Sequence, residues 1–265
     1  MNRRTFAAAA AALAVSIAGF SAQVFAADTV LKVGATPVPH ADILKLVAPD
    51  LKKEGIELKV IEFTDYVQPN VALADKELDA NFFQHVPYLE SFCESRRLKL
   101  TTLVPVHIEP MGVYSKRVKS LKDLKRRATI AIPNDPTNGG RALAILAKAG
   151  LFKLKAGVGV KATVADIREN KNRYKIIELE AATLPRTLAD VDAAVINSNY
   201  ALGANLNPVK DAIFSEPKDS PYANIVAVRT GDNRAELGKL AKALTSPAVK
   251  KFIEQKSQGA VVPAF

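Results

Sequence analysis

Apolar and polar residues alternate over Thr29-Val30-Leu31-Lys32-Val33-Gly34-Ala35, which predicts a strand closed by small residues. The period then changes. Ile43, Leu44, Leu46, Val47 and Leu51 recur at helical spacing within 40–54, with Asp42 near the start. A second strand is expected over 57–63 and helices over 69–78 and 87–97. Strands are expected at 100–108 and 112–115, with Glu109-Pro110-Met111 between them, and at 129–132. A helix over 138–149 is stopped by Gly150, a residue open to left-handed backbone. Strands at 175–180, 192–196 and 224–228 follow. Two helices, 234–244 and 246–255, close the chain, the second with Pro247 in its first turn. The Gly- and Lys-rich stretch 153–172 reads as a loop with short helices.

Strands alternating with helices predict an α/β fold with largely parallel sheets. Changes of character near 109–113 and 223–228 suggest two lobes with a ligand cleft between them and two crossover segments. Lobe 1 then comprises 27–111 and 225–265, and lobe 2 comprises 112–224.

The first 26 residues read as a cleavable signal peptide. Met1-Asn2-Arg3-Arg4 is basic, 6–20 is Ala-rich and apolar, and Val24-Phe25-Ala26 has the small-x-small form of a cleavage site. Arg3-Arg4 with Phe6 leaves the twin-arginine and general export routes both open. The one cysteine, Cys93, is far from the cleavage point, so the reading is a periplasmic protein with no lipid-anchor cysteine. Alone, Cys93 forms no internal disulfide and reads as a small buried hydrophobe. The leader holds two of 37 basic residues and none of 27 acidic ones, which leaves +8 beyond it. Export and the scatter of Lys and Arg among acids argue against nucleic acid.

Candidate chemistry concentrates in three places. Phe63, Tyr66, Phe82, Phe83, Tyr88 and Phe92 gather around His85 in a chain with no Trp. Rings interleaved with amides and an imidazole suit a small, mostly apolar ligand with polar handles. Next, Ile130-Ala131-Ile132-Pro133-Asn134-Asp135-Pro136-Thr137-Asn138-Gly139-Gly140-Arg141 reads strand, turn, helix, with Thr137 or Asn138 as N-cap. The two glycines would admit a ligand close to the backbone at a helix N-terminus, a natural anion site. Arg141 opposes the helix dipole there, and a ligand carboxylate gripped in its bidentate fork would account for it. Finally, Asn197 and Asn224 stand at strand ends, where amide oxygens can accept from an ammonium group. No Gly-x-Ser-x-Gly, His-Glu-x-x-His or phosphate-cradling loop occurs, and His40, His85 and His107 lack metal-ligand spacing. Glu109 and Asp135 can enter a cleft, yet nothing local assigns either a general-base role. No enzyme, metal or cofactor is expected.

These residues are similar to those of a known family. The stretches Asp65-Tyr66-Val67-Gln68-Pro69-Asn70, Asn81-Phe82-Phe83-Gln84-His85, Asn134-Asp135-Pro136-Thr137-Asn138, Glu178-Leu179-Glu180-Ala181, Ala194-Val195-Ile196-Asn197 and Lys218-Asp219-Ser220-Pro221-Tyr222 resemble the methionine-binding proteins of methionine ABC importers, the MetQ/NlpA family. The resemblance implies a two-lobed, monomeric binding protein that delivers methionine to a cognate ABC transporter permease. It implies that Tyr66, Phe83, His85 and Tyr88 surround the ligand side chain, Arg141 holds the α-carboxylate, and Asn197 and Asn224 help hold the amino group. The lipidated cysteine common in the family is missing. Another small amino acid or a methionyl dipeptide stays open as ligand, and an exported enzyme stays open as the rival class.

Overall fold

A computed structural model describes residues 29–257 and 259–265; the expected signal peptide, 1–26, lies outside them. The chain starts with β1 (Thr29–Ala35), α1 (Asp42–Lys53), β2 (Ile56–Glu62), α2 (Gln68–Ala74), β3 (Ala80–His85), α3 (Val86–Arg96) and β4 (Leu100–Ile108). It continues through β5 (Gly112–Tyr114), β6 (Thr129–Pro133), α4 (Pro136–Lys148), a small hairpin of β7 (Lys153–Leu154) and β8 (Ile167–Arg168), and β9 (Lys175–Leu179). After α5 (Leu184–Thr187), β10 (Ala193–Ile196), α6 (Ser198–Gly203) and β11 (Phe214–Ser215) come β12 (Ala223–Arg229), α7 (Ala235–Leu244), α8 (Pro247–Ser257) and β13 (Val262–Pro263).

Two sheets result, one per lobe. The first has the order β13-β4-β12-β3-β1-β2 and the second β11-β5-β10-β6-β9. The chain leaves the first sheet after Ile108, enters the second at Gly112, and returns between β11 and β12. The α/β, two-lobed architecture is as expected, but the sheets are mixed rather than largely parallel. β1 runs parallel to β2 and β3, and β6 to β9 and β10, whereas β4, β5, β11, β12 and β13 pair antiparallel. Strands entering and leaving each lobe at the crossovers run back against their neighbours, which simple β-α alternation does not anticipate.

Each sheet is sealed by amphipathic helices. Ile43, Leu44, Val47 and Leu51 of α1 share one buried face. They join Leu237, Leu240 and Leu244 of α7 and Val249 and Ile253 of α8 over Leu31, Val33 and Val226 of the sheet. Leu46, off that stripe, stays exposed. In lobe 2, Leu143, Ile145 and Leu146 of α4 cover Ile130, Ile132, Val113 and Val195, while Leu184 and Leu188 cover the opposite face.

The pattern missed β3. All six of its residues are buried, because β1 and β12 flank it and both faces are covered. It therefore lacks a two-residue period. Its polar members are held by amides: Asn70 and Gln84 exchange bonds of 2.8 and 2.7 Å, and Asn81 donates to Asn70 Oδ1 at 2.8 Å. The helix expected over 69–78 stops at Ala74, and Lys76 then adopts positive φ. Cys93 is part-buried rather than fully buried.

Candidate ligand-binding site

A small cavity lies between the lobes. The seven candidate residues, Tyr66, Phe83, His85, Tyr88, Arg141, Asn197 and Asn224, all line it. Sequence reasoning did not assign the other lining residues to the site: Gln84, Glu109, Asn138, Ser198 and Asn199.

Lobe 1 supplies a wall of rings. Phe83 and His85 share a face of β3 at i and i+2, and Tyr88 follows in the first turn of α3. Tyr66 lies 5.9 Å from both Phe83 and Tyr88 between ring centroids, and Tyr200 of lobe 2 stacks over it at 4.9 Å. The Tyr88 hydroxyl donates to the Tyr66 carbonyl at 2.8 Å, and the Tyr66 hydroxyl reaches across the cleft to Asn199 Oδ1 at 2.5 Å. Burial raises the phenols of Tyr66, Tyr88 and Tyr200, so this wall is uncharged.

His85 also caps α3. Its Nδ1 accepts from the Tyr88 N–H at 3.2 Å, which leaves the proton on Nε2, facing Asn138 Oδ1 at 3.2 Å. Asn138 Oδ1 also accepts from Asn197 Nδ2 at 2.9 Å, so an imidazole of one lobe and an amide of the other meet on one amide oxygen. Burial, then the nearby Arg141 charge, lowers His85 to about 3, and the ring is neutral. Asn197 Oδ1 is buried with no hydrogen-bond partner among the described residues.

The start of α4 differs from expectation. The N-cap is Asp135, whose Oδ1 accepts from the Asn138 N–H at 2.9 Å, with Pro136 opening the helix. The protein's own carboxylate thus occupies the anion site at this helix N-terminus. Nor do the glycines line this cavity. A Cβ on Gly140 would stand 2.1 Å from the Val160 carbonyl oxygen, and one on Gly139 would stand 2.9 Å from that of Pro133. Both positions are small so that α4 can pack against its own lobe.

Arg141 is 3% exposed and does not present an open fork. Its Nε donates to Glu216 Oε1 at 2.9 Å and its Nη2 to Glu216 Oε2, while Nη2 also reaches the Glu109 carbonyl at 2.9 Å. The guanidinium lies 4.1 Å over the Tyr222 ring. The bidentate edge is therefore taken within the chain. Nη1 alone has no hydrogen-bond partner among the described residues. Glu216, far along the sequence, carried no local signal of this pairing.

Register explains the remaining corner. His85, Asn224 and His107 are opposite one another on β3, β12 and β4. His40, after β1, adds its ring, and its Nε2 lies 3.1 Å from Asn224 Oδ1 and 3.4 Å from Glu109 Oε1. His107 Nε2 lies 2.7 Å from the same Glu109 oxygen. Both Nε2 atoms face acceptors, so each carries the proton, and Thr36 Oγ1 donates to His40 Nδ1 at 2.7 Å. Burial is the main cause that lowers His40 to about 4 and His107 to about 3. Burial also raises Glu109, against lowering by His40, the Asn199 N–H and Arg141. Donor atoms of His40, His107 and Glu109 lie within 4.8 Å of one another, a spacing open to a divalent ion. The His107 N–H takes the Glu109 oxygen and the His40 N–H faces Asn224, while His107 Nδ1 has no hydrogen-bond partner among the described residues.

A family profile described as NlpA lipoprotein matches residues 31–265. The Probable D-methionine-binding lipoprotein MetQ of Vibrio cholerae is 42% identical over 98% of this chain and 97% of its own length. The Methionine-binding lipoprotein MetQ of Bacillus subtilis is 48% identical over 87% of this chain and 86% of its own length. A nutrient binding protein from Burkholderia cenocepacia, solved bound to methionine, superposes with a TM-score of 0.87 at 52% identity, covering 89% of this chain and all of that one. The two MetQ relatives are named as binding proteins, not enzymes. They are also named as lipoproteins, which overturns the expectation of a periplasmic chain without a lipid anchor. That expectation rested on the sole cysteine being Cys93, inside α3. By profile, identity and coverage, this chain belongs to the NlpA lipoprotein family.

Proposed function

We propose that the protein is the substrate-binding component of an ABC importer and that it takes methionine between its lobes. Tyr66, Phe83, His85 and Tyr88 receive the thioether chain, Arg141 receives the α-carboxylate on Nη1, and Asn197, with Asn224 beside it, receives the ammonium group. The observation that carries the reading is a single cavity with two chemically different ends. One end is a wall of neutral rings; the other holds Arg141, Glu109 and Asn197 Oδ1, which has no hydrogen-bond partner among the described residues. Leaving a charged side chain unpaired against the rings costs several kcal/mol, so the wall favours an uncharged chain. A thioether against rings adds roughly 0.3–1.5 kcal/mol. The methionine-binding names of the relatives and the methionine-bound Burkholderia structure support the same ligand.

The protein acts as a monomer that hands methionine to a cognate permease. Lobe 1 comprises 27–111 and 225–265, and lobe 2 comprises 112–224; strand membership of the two sheets supports this division, with β12 starting close to the second boundary. Titration calorimetry with L-methionine, D-methionine, methionyl dipeptides and the other amino acids tests the function. Tightest binding of either methionine enantiomer is expected. Tighter binding of a charged amino acid, or of none, would sink it.

A further inference from the structure

We propose that this cavity selects its ligand by the ammonium group before the carboxylate, and that Glu109 is the residue setting that order. The inference rests on reading the cavity as a methionine site, and it names the ligand class more sharply: a primary ammonium on a thioether chain, with a neutral carbonyl accepted in place of the carboxylate.

The cavity's charges carry the argument. Arg141 is the one Lys or Arg among the lining residues. Its charge already meets Glu216, whose side chain is 9% exposed, through two hydrogen bonds. From Arg141, a ligand carboxylate finds only Nη1, the other edge of the guanidinium being engaged by Glu216. Its loss leaves a neutralised pair behind.

Glu109 is in the opposite position. It is 5% exposed, and among the described residues no Lys or Arg nitrogen lies within 4.0 Å of its carboxylate. The contact from Arg141 goes to the Glu109 backbone carbonyl instead. Its carboxylate accepts from the His107 N–H at 2.7 Å and from the Asn199 backbone N–H, with the His40 ring 3.4 Å away, and burial keeps both imidazoles neutral. These are dipoles, not counter-ions. A buried carboxylate without a salt-bridging Lys or Arg gains most from an arriving cation, because attraction in a water-poor site is screened least. Asn197 Oδ1, buried and without a donor among the described residues, adds a second acceptor in the same cavity. The Glu109 carboxylate and Asn197 Oδ1 both favour N–H donors carrying positive charge.

The test is titration calorimetry on the unaltered chain with three ligands: L-methionine, L-methioninamide, which keeps the ammonium and replaces the carboxylate with an isostere, and 4-(methylthio)butanoate, which keeps the carboxylate and lacks the amine. At pH 7 an α-amine with pKa near about 7.7–8.0 is mostly protonated. The amide should bind within about tenfold of methionine, and the deaminated acid on the order of a hundredfold more weakly, the scale of a hydrogen bond to a charged group. The reverse order overturns the proposal while leaving methionine binding intact. Failure of methionine itself would instead reject the function. Glu109→Gln keeps shape and removes the charge. It should weaken methionine and the amide on the order of a hundredfold and leave the deaminated acid unchanged. Equal methionine affinity in a folded Glu109→Gln protein overturns the assignment, and if that variant does not fold, the three-ligand order decides alone.

Discussion

Arg141 closes its Nε–Nη2 edge on the carboxylate of Glu216, and its Nη2 also reaches the Glu109 carbonyl at 2.9 Å. Glu109 lies where the chain passes from the first sheet to the second, and Glu216 where it starts back. One guanidinium on α4 therefore fastens both crossovers. Arg141→Ala strands the part-buried Glu216, whose side chain is 9% exposed, and removing one partner of a buried pair costs roughly 3–5 kcal/mol. Urea denaturation without ligand should show that loss. Arg141→Lys should recover only part of it, since an ammonium cannot form the paired contact. A loss within error for Arg141→Ala would mean the pair is not structural.

Stability should depend on pH through the histidines. In the folded chain His40 is lowered to about 4, and His85 and His107 to about 3, from 6.5. Between those values and 6.5 the unfolded chain binds more protons, so stability falls as pH falls. Each histidine contributes a slope of up to about 1.4 kcal/mol per pH unit. Glu109, raised by burial, has the opposite sign and offsets part of the loss in the carboxylate range. Denaturation free energies measured from pH 8 to pH 4 should be level above about pH 7 and then decline. A profile that is flat or rising from pH 6.5 to pH 5 would contradict the neutral, buried imidazoles.

What could be read beforehand follows from how far each signal travels along the chain. α1, α7 and α8 announce themselves by stripes such as Ile43, Leu44, Val47 and Leu51, because a helix buries one face. β3 does not, since both its faces are buried and Asn81, Gln84 and His85 are satisfied by partners that spacing cannot reveal. The seven candidates share a cavity, yet the role foreseen for Arg141 changed because Glu216, 75 residues away, takes its fork. The row His85, Asn224, His107 exists only through register across three strands. Glu109 was noticed for its charge, but nothing local showed two imidazoles converging on it.

Closure across the cleft should be measurable at Tyr66. Its hydroxyl donates to Asn199 Oδ1 at 2.5 Å while its ring stays against Phe83 and Tyr200. Tyr66→Phe removes the interlobe hydrogen bond and keeps the ring. A hydrogen bond of this kind contributes roughly 0.5–1.5 kcal/mol, so methionine should bind about 2- to 12-fold more weakly, with unliganded stability little changed. Calorimetry finding no change would show that Tyr66 acts through its ring alone.

Gly140 sets helix propensity against packing. It lies inside α4, where alanine is favoured over glycine by about 1 kcal/mol. A Cβ there would meet the Val160 carbonyl oxygen at 2.1 Å and the Ala162 nitrogen at 3.2 Å, backbone atoms that no rotamer change can move. Overpacking of this kind costs typically about 1–3 kcal/mol, so packing should win. Gly140→Ala is expected to lower stability, and because α4 carries Asn138 and Arg141 into the cavity, methionine affinity should fall with it. Gly238, in α7 with no atom within 4 Å of its Cβ position, supplies the control. Gly238→Ala should raise stability on propensity alone. If both substitutions stabilise the fold, the 159–161 turn yields easily and the contact with α4 is not what fixes the ligand-facing side of that helix.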